Sequence, residues 1–345
     1  MIPVRPTLKD IARIAGVDVS TVSRVLRSTS DASTTHETRA RILATAAELN
    51  YRPNVAARVL RRTRSNYIGV VVHDLTNSLY HSVVEAAEAT AIQHGQTVIL
   101  FHVDDEHMPA HTLRNFTNDS QVDGLIIASR LAIQGQLGPL ESLACPFVLL
   151  NAKPGAIDTL TFDHGATAVL GVDHLVDLGH RRLVLFPGGR NMHNAQERVA
   201  GFRTAASRHD LVADDQTIVA TDYRSVTAYE ASLAHLKKSG HRPIGVIAAT
   251  VPIALGVTAA AADIGLRIPD EVAVVALQDS ILAETVRPAL TTVVLPAREM
   301  GELAVKALLA KIEGKAAALP KILSPTGIVI RGTTMLPVPH RVAVT

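Results

Sequence analysis

A chain of 345 residues, 47% hydrophobic and 19% charged, is long enough for more than one buried core. It carries no apolar run of membrane-spanning length and no secretory h-region in its N-terminus MIPVRPTLKD, and its one cysteine excludes an internal disulfide. The net charge of +2 hides an asymmetry: residues 1–65 hold 12 Lys and Arg against 5 Asp and Glu, a balance of +7, which leaves −5 for the rest. These bounds predict a soluble, cytoplasmic protein with a basic head on an acidic body, the head suited to a polyanion.

The first elements in the chain are three short helices within residues 7–50. Thr7 can cap the first, with Asp10 three residues on as an imperfect capping box, and Leu8, Ile11, Ala12 and Ile14 supply apolar spacing. Ala15-Gly16-Val17 reads as a tight turn. Asp18 caps the second helix, whose Val22, Val25 and Leu26 fall on one inward face. After the polar loop RSTSDAST, Thr35 and Thr38 open a third helix with Ile42, Leu43, Ala46 and Leu49 as its inner stripe, and Pro53 ends it.

Two helices joined by a glycine turn, the second with small residues outside, form a helix-turn-helix pattern. Val19, Ser20, Ser23, Arg24 and Arg27 are expected to point away from the apolar stripe. An arginine there can bond guanine O6 and N7 together, a valine can touch a thymine methyl, and short hydroxyls suit phosphates or base edges. The competing reading is an ordinary amphipathic helix in a bundle. The following segment, YRPNVAARVLRRTRS, offers Asn54 as a cap, a helix too short to be stable alone, and Leu60 among arginines. Such a segment folds on meeting a surface, and Leu60 suits a wedge between base steps in the minor groove. A flexible interdomain linker is the alternative.

From Tyr67 the pattern changes. YIGVVV, TVILF, GLIIAS, FVLLN, RLVLF, IGVIAA and VAVVAL alternate with amphipathic, alanine-rich helical stretches. That alternation predicts parallel sheets covered on both faces, divided between two α/β lobes with a ligand cleft at the carboxyl ends of their strands. Cys145 is expected as a buried core thiol rather than a nucleophile. His102, His107 and His111 cluster near three acids, but Pro109 interrupts any shared helical face, so neither a metal nor a cofactor is expected. No zincin, nucleophile-elbow or P-loop signature occurs; PGGR at 187–190 lacks the P-loop lysine and reads as a strand-to-helix turn. The chain is expected not to be an enzyme.

TLKDIARIAGVDVSTVSRVL, ELNYRPNVAARVL, LGHRRLVLFPGG, ERVAGF and GLRIPDEVAVV followed by PALTTV resemble the LacI/GalR family of bacterial transcription repressors, in matching order from about Thr7 to Thr333. The resemblance implies an α/β chain with an all-α helix-turn-helix head (1–52), a hinge helix and linker (53–65) and a two-lobed periplasmic-binding-protein-like body (66–345). The lobes are expected at about 66–159 with 291–320, and about 160–290 with 321–336. It further implies a homodimer that binds a near-palindromic double-stranded operator under control of a small-molecule effector in the cleft. Val19 and Ser20 fall at the leading base-reading positions and Arg24 at the shared arginine. Thr7, Thr21, Ser23, Thr35 and Thr38 fall at or near phosphate-contacting positions. Asn54, Ala57 and Leu60 match the hinge helix. The loop before the third helix is about two residues longer than the common pattern, which puts contacts from residues 28–34 in question.

For the effector, the resemblance points to Asn77, Tyr80, Asn151, Phe162, Asp163, Arg198, Tyr223, Thr250 and Gln278. Several positions depart from the sugar-binding pattern: Ala249-Thr250-Val251 replaces Ala-Asn-Asp, Gln278 replaces an aspartate, and Ala128 and Leu295 stand at positions polar in lactose-responsive members. Fewer polar partners predict an effector less hydroxylated than a simple hexose, or a sugar derivative held differently, and Arg198 favours an anionic or strongly accepting group. A body that has lost its ligand and an exported solute-binding protein of the same fold are the alternative readings. The basic head argues against the second.

Overall fold

The computed structural model describes residues 6–26, 34–49, 51, 64–102, 121–128, 140, 143–153, 158–239, 243–317, 319 and 321–334. The chain divides into two compact units, Met1–Thr63 and Arg64–Thr345. Arg64 and Ser65, expected as linker, are tied into the second: Arg64 donates to the Ile312 carbonyl at 2.9 Å and the Ser65 hydroxyl to Asp123 at 2.8 Å. The rest of the expected hinge, residues 53–63, lies outside the described residues.

The first unit holds α1 (Leu8–Ala15), α2 (Val19–Val25) and α3 (His36–Glu48). Its core is Ile11, Ala12, Ala15, Val22, Val25, Ile42 and Ala46. Two expected core positions turn outward. Ile14 and Leu43 are 50% and 44% exposed, while Ala15 and Thr45, one and two residues further along, face inward. Three helices this short enclose little volume, so small side chains take the close-packed positions.

The second unit contains two sheets. The first has strand order β10-β5-β4-β3-β1-β2, all parallel. Its strands are β1 (Tyr67–Val72), β2 (Thr97–His102), β3 (Gly124–Ala128), β4 (Phe147–Leu150), β5 (Thr159–Phe162) and β10 (Lys321–Leu323). Helices α4 (Ser78–Gln93) and α10 (Ala297–Ile312) pack on it. The second sheet runs β11-β9-β8-β7-β6, parallel except for β11 against β9. It comprises β6 (Leu183–Phe186), β7 (Ile244–Ala248), β8 (Val272–Ala276), β9 (Thr291–Val294) and β11 (Gly327–Val329). One of its faces carries α5 (His164–Asp177) and α6 (His193–Arg208), the other α7 (Ser225–Lys238) and α8 (Val251–Asp263), with the short α9 (Ile281–Thr285) nearby. Strands β1, β3, β7 and β8 are buried almost throughout, as sheets covered on both faces require.

The lobe boundaries differ from those expected. β5 belongs to the first sheet although 160–162 was assigned to the second lobe. β9 pairs in the second sheet although 291–294 was assigned to the first. β10 returns to the first, pairing with β5. The chain changes sheets at strand ends, where backbone hydrogen bonding is complete, so each crossing falls after a whole strand. Among the described residues no helix is long and apolar enough to cross a membrane.

Candidate nucleic-acid interface and ligand cleft

The head's geometry follows from its caps. The Thr7 hydroxyl oxygen accepts from the Asp10 N–H, and the Asp10 carboxylate accepts from the Thr7 N–H at 2.8 Å and hydroxyl at 2.7 Å, a complete capping box. Gly16 ends α1 in the left-handed region at φ +65. Asp18 then receives the Ser20 N–H at 2.7 Å and opens α2. Hydrogen bonds hold both the Asp10 and Asp18 carboxyls below the usual carboxylate range. Arg41 on α3 donates through Nε to the Ala15 carbonyl at 3.0 Å, placing a cation at the C-terminus of α1. Sequence patterning gave no sign of this bond.

These constraints leave Ser20 and Arg24 exposed on α2, with Thr21 and Ser23 half-buried beside them. Val19, expected on the outer face, is half-buried and packs against the head's core. Thr7 and Thr35 are exposed at their helix starts, Thr35 capping α3 by accepting from the Thr38 N–H at 3.3 Å, and Thr38 is half-buried. Arg27, Asn54, Ala57 and Leu60 lie outside the described residues, as does most of the 28–34 loop.

In the second unit a cleft enclosing ≈ 420 Å³ of empty space, part of it open solvent, lies between the two sheets' strand ends. Its lining follows the carboxyl ends of strands: His73 and Asp74 after β1, Asn151 after β4, His164 after β5 and Gln278 after β8. Asn77, Leu79 and Tyr80 at the start of α4 complete one wall; Met192, Asn194, Arg198 and Tyr223 complete the other.

Asn77 caps α4 by accepting from the Leu79 N–H at 3.1 Å. The Tyr80 phenol is pushed up to about 12 by burial and accepts from Asn151 Nδ2 at 3.4 Å. Asn151 sits at φ +55, a left-handed conformation that asparagine tolerates better than most residues. The His73 ring stands edge-on to Tyr80, its Nδ1–H donating to the Ala128 carbonyl at 2.7 Å. The Tyr223 hydroxyl donates to Asn194 at 3.1 Å. Gly188, at φ +92 in the PGGR turn, lets the Tyr223 ring approach: a Cβ there would meet it at 2.5 Å.

Arg198 is 1% exposed and donates to the Pro187 carbonyl and to His164 Nδ1, both at 3.1 Å. Burial, with the Arg198 charge beside it, holds His164 well below the ordinary imidazole value. Among the described residues, the buried atoms Asn151 Oδ1, His164 Nε2 and Arg198 Nε have no hydrogen-bond partner. A polar lining that the chain itself leaves unsatisfied is what a bound polar molecule completes.

Three expected effector residues stand outside this lining. Phe162 is fully buried in the first lobe's core. Asp163 caps α5 through Ala166 N–H at 2.8 Å, and Thr250 caps α8 through Ile253 N–H at 3.4 Å, so both side chains are committed to helix starts. Ala128 and Leu295 are core residues. His73, Asp74, Leu79, His164, Met192 and Asn194 were not anticipated. His164 and Asn194 belonged to no recognised strand end or motif, and only the strand-end rule applied to β5 signals His164. Cys145 is half-buried and its thiol is pushed up to about 11 by burial, which suits a packing role. His107 and His111 lie outside the described residues; among those described, no group of three His, Cys, Asp or Glu could hold a metal.

Comparison with known proteins places both units. Residues 7–54 match the bacterial regulatory proteins of the lacI family, and residues 172–334 the periplasmic binding protein-like domain. The chain is 30% identical over 306 residues to catabolite control protein A of Priestia megaterium, covering 88% of this chain and 91% of that one. It is also 30% identical over 313 residues to the transcriptional repressor PurR of Salmonella paratyphi B, covering 90% and 91%. Its fold superposes on a crystal structure of the lac repressor dimer bound to operator and the anti-inducer ONPF with a TM-score of 0.83 and 29% identity, covering 96% of this chain and 99% of that one.

Proposed function

The chain belongs to the LacI family of bacterial regulatory proteins, and on that premise we propose that it is a transcriptional repressor binding a near-palindromic operator as a homodimer, with a small-molecule effector in the interlobe cleft. The observation that carries this reading is the head: the Thr7–Asp10 box, the Gly16 turn and the Asp18 cap fix α2 so that Ser20 and Arg24 stand exposed on a unit rich in arginine. Arg24 reads a guanine edge in the major groove, and Ser20 reaches a base edge beside it. Thr7, Thr21, Ser23, Thr35 and Thr38 position the head on phosphates, and half-burial of Val19 limits it to an apolar contact at the helix start. Arg27 adds charge, and the segment bearing Asn54, Ala57 and Leu60 enters the minor groove at the operator's centre.

The body supports the regulatory half of the reading. Its cleft holds unsatisfied buried polar atoms from both sheets, so a ligand bridging them stabilises one lobe arrangement over another. Binding that distinguishes two arrangements changes DNA affinity by that difference in free energy. The test is selection of bound sites from a random duplex pool at near-physiological salt. An enriched palindrome is the expected result; salt-sensitive retention without enrichment means phosphate binding alone, and no retention returns the body to the solute-binding reading.

A further inference from the structure

The chain enters the body through two anchors that belong to different elements of the first lobe. Exposed Arg64 donates through Nη2 to the carbonyl of Ile312, the last residue of α10, at 2.9 Å. The next two residues are held elsewhere. The half-buried Asp123 carboxylate, just before β3, accepts from the Ser65 N–H, from the Ser65 hydroxyl at 2.8 Å and from the Asn66 N–H at 2.8 Å. Backbone completes this clamp: the Asp123 N–H donates to the Tyr67 carbonyl at 2.7 Å, and the Thr97 N–H, opening β2, to the Asn66 carbonyl at 2.9 Å. Asn66 turns the chain into β1 at φ +63. A carboxylate that receives three donors holds firmly, whereas the single bond of exposed Arg64 is the weaker anchor.

The two anchors follow different parts of the body. β1 and β3, beside the clamp, are interior strands of the first sheet. α10 begins after only Leu295 and Pro296 have carried the chain over from β9 of the second sheet. Its 16 residues make a rod of about 24 Å. Lys311, beside its end, pairs with Asp158 at 2.7 Å, next to β5, whose far end hands the chain to α5 of the second lobe. Gly301 sets α10 against α4, and the first turn of α4 lines the cleft. A change in lobe arrangement therefore reaches Ile312 along α10, while Asp123 stays with the inner strands. Arg64 and Ser65 are consecutive, so no intervening chain absorbs a shift between their anchors. The shift turns the peptide that joins them or breaks the weaker bond.

We propose that Arg64 and Asp123 together couple the lobe arrangement to the segment preceding residue 64, with the Asp123 clamp as the fixed point and the Arg64–Ile312 bond as the part that yields. This rests on the reading of the chain as an effector-controlled DNA-binding protein. Coupling between two sites acts equally in both directions, so DNA itself can probe it without an effector. The probe is the duplex enriched from the random pool. Hydrogen exchange of the full chain is measured with and without it, beside affinities for that duplex and for random DNA.

The enriched duplex should change exchange in α10 and in the cleft segments 73–80 and 192–198 by about 5-fold or more, the lower end of ordinary coupling between sites. Arg64→Ala should bring that change close to none and leave the body's melting unaltered, because the side chain is exposed. Asp123→Ala should do the same to the exchange, with partial recovery in Asp123→Asn, which keeps one oxygen acceptor. Should the Asp123 variants fail to fold, Arg64→Ala decides. A body response in Arg64→Ala equal to that of the native chain overturns the coupling, and weakening of enriched and random duplex alike would then make Arg64 a phosphate contact. A native body that does not respond to the bound duplex also overturns it, with the DNA-binding reading intact. If no duplex is enriched, that reading falls and the coupling falls with it.

Discussion

Gly188 lets the Tyr223 ring lie against the PGGR turn, and it does so by lacking a side chain. Its φ of +92 disfavours any L residue, and a Cβ would stand 2.5 Å from the Tyr223 ring. Gly188→Ala should therefore push Tyr223 off its bond to Asn194 and cost about 1–3 kcal/mol of body stability, read as a lower urea midpoint with an unchanged slope. An unchanged midpoint would mean that the turn relaxes freely. The same scale shows what patterning can and cannot identify. Arg198 and Gln278 were legible because they lie in recognisable motifs. Asp163 and Thr250 cap helices instead of lining the cleft, and a short polar side chain at a strand end can do either. Backbone direction decides between these, and sequence spacing does not carry it. His164 went unnoticed because the strand before it, TLTF, is short and rich in threonine, so its end could not be placed.

At the scale of elements, three helix pairs cover the two sheets: α4 with α10, α5 with α6, and α7 with α8. Each pair is drawn together at a glycine. A Cβ on Gly301 would lie 2.3 Å from the Val83 carbonyl, on Gly201 2.2 Å from the Gly165 carbonyl, and on Gly256 2.4 Å from the Ser225 carbonyl. The obstacle in each case is backbone, which cannot swing aside as a flexible side chain would. Alanine at any one of the three should separate its pair and lower body stability by at least about 1–3 kcal/mol; alanine at exposed Gly95, which meets nothing within 4 Å but has φ +70, separates the strain of a left-handed site from the crowding between helices. Hydropathy identified the long apolar strands β1, β3, β7 and β8 plainly. It also identified the four-residue β4 and β6, whose runs are wholly apolar, but missed β5 (TLTF), β9 (TTVV), β10 (KIL) and β11 (GIV), where threonine, lysine or glycine interrupts an equally short run and pairing is owed to neighbouring strands. In the head, the wedge reading of Leu60 has its own check. Leu60→Ala should weaken binding to the selected operator more than to random duplex, measured by titration at one salt concentration, and equal weakening of both would remove the wedge.

At the scale of the whole molecule, acid acts on the two units through different groups. In the body, burial holds His164 well below its ordinary value of 6.5, and it lowers His174 and His180 as well. A histidine with a depressed value in the folded state takes up its proton more readily in the unfolded chain. Below pH 6.5 the unfolded state thus binds more protons, and stability falls as the pH falls. The limiting slope is about 1.4 kcal/mol per pH unit for each such group. Glu197 opposes this nearer its ordinary 4.5, because burial raises its value and the folded state then holds the extra proton. In the head, the responsive groups are Asp10 and Asp18, both lowered from 3.8 by the hydrogen bonds that cap α1 and α2. Their contribution is present above 3.8 and is lost only as the pH falls below it. Between pH 6.5 and 4.5 the body should therefore lose stability while these caps stay intact, so calorimetry should show a body transition that moves down with acid beside a head transition that does not. His164→Asn should flatten the body's response over that window. Because His174 and His180 respond as well, the variant should make the response shallower without abolishing it, and an unaltered response in it would mean that His164 is protonated alike in the folded and unfolded chain, against its bond from Arg198.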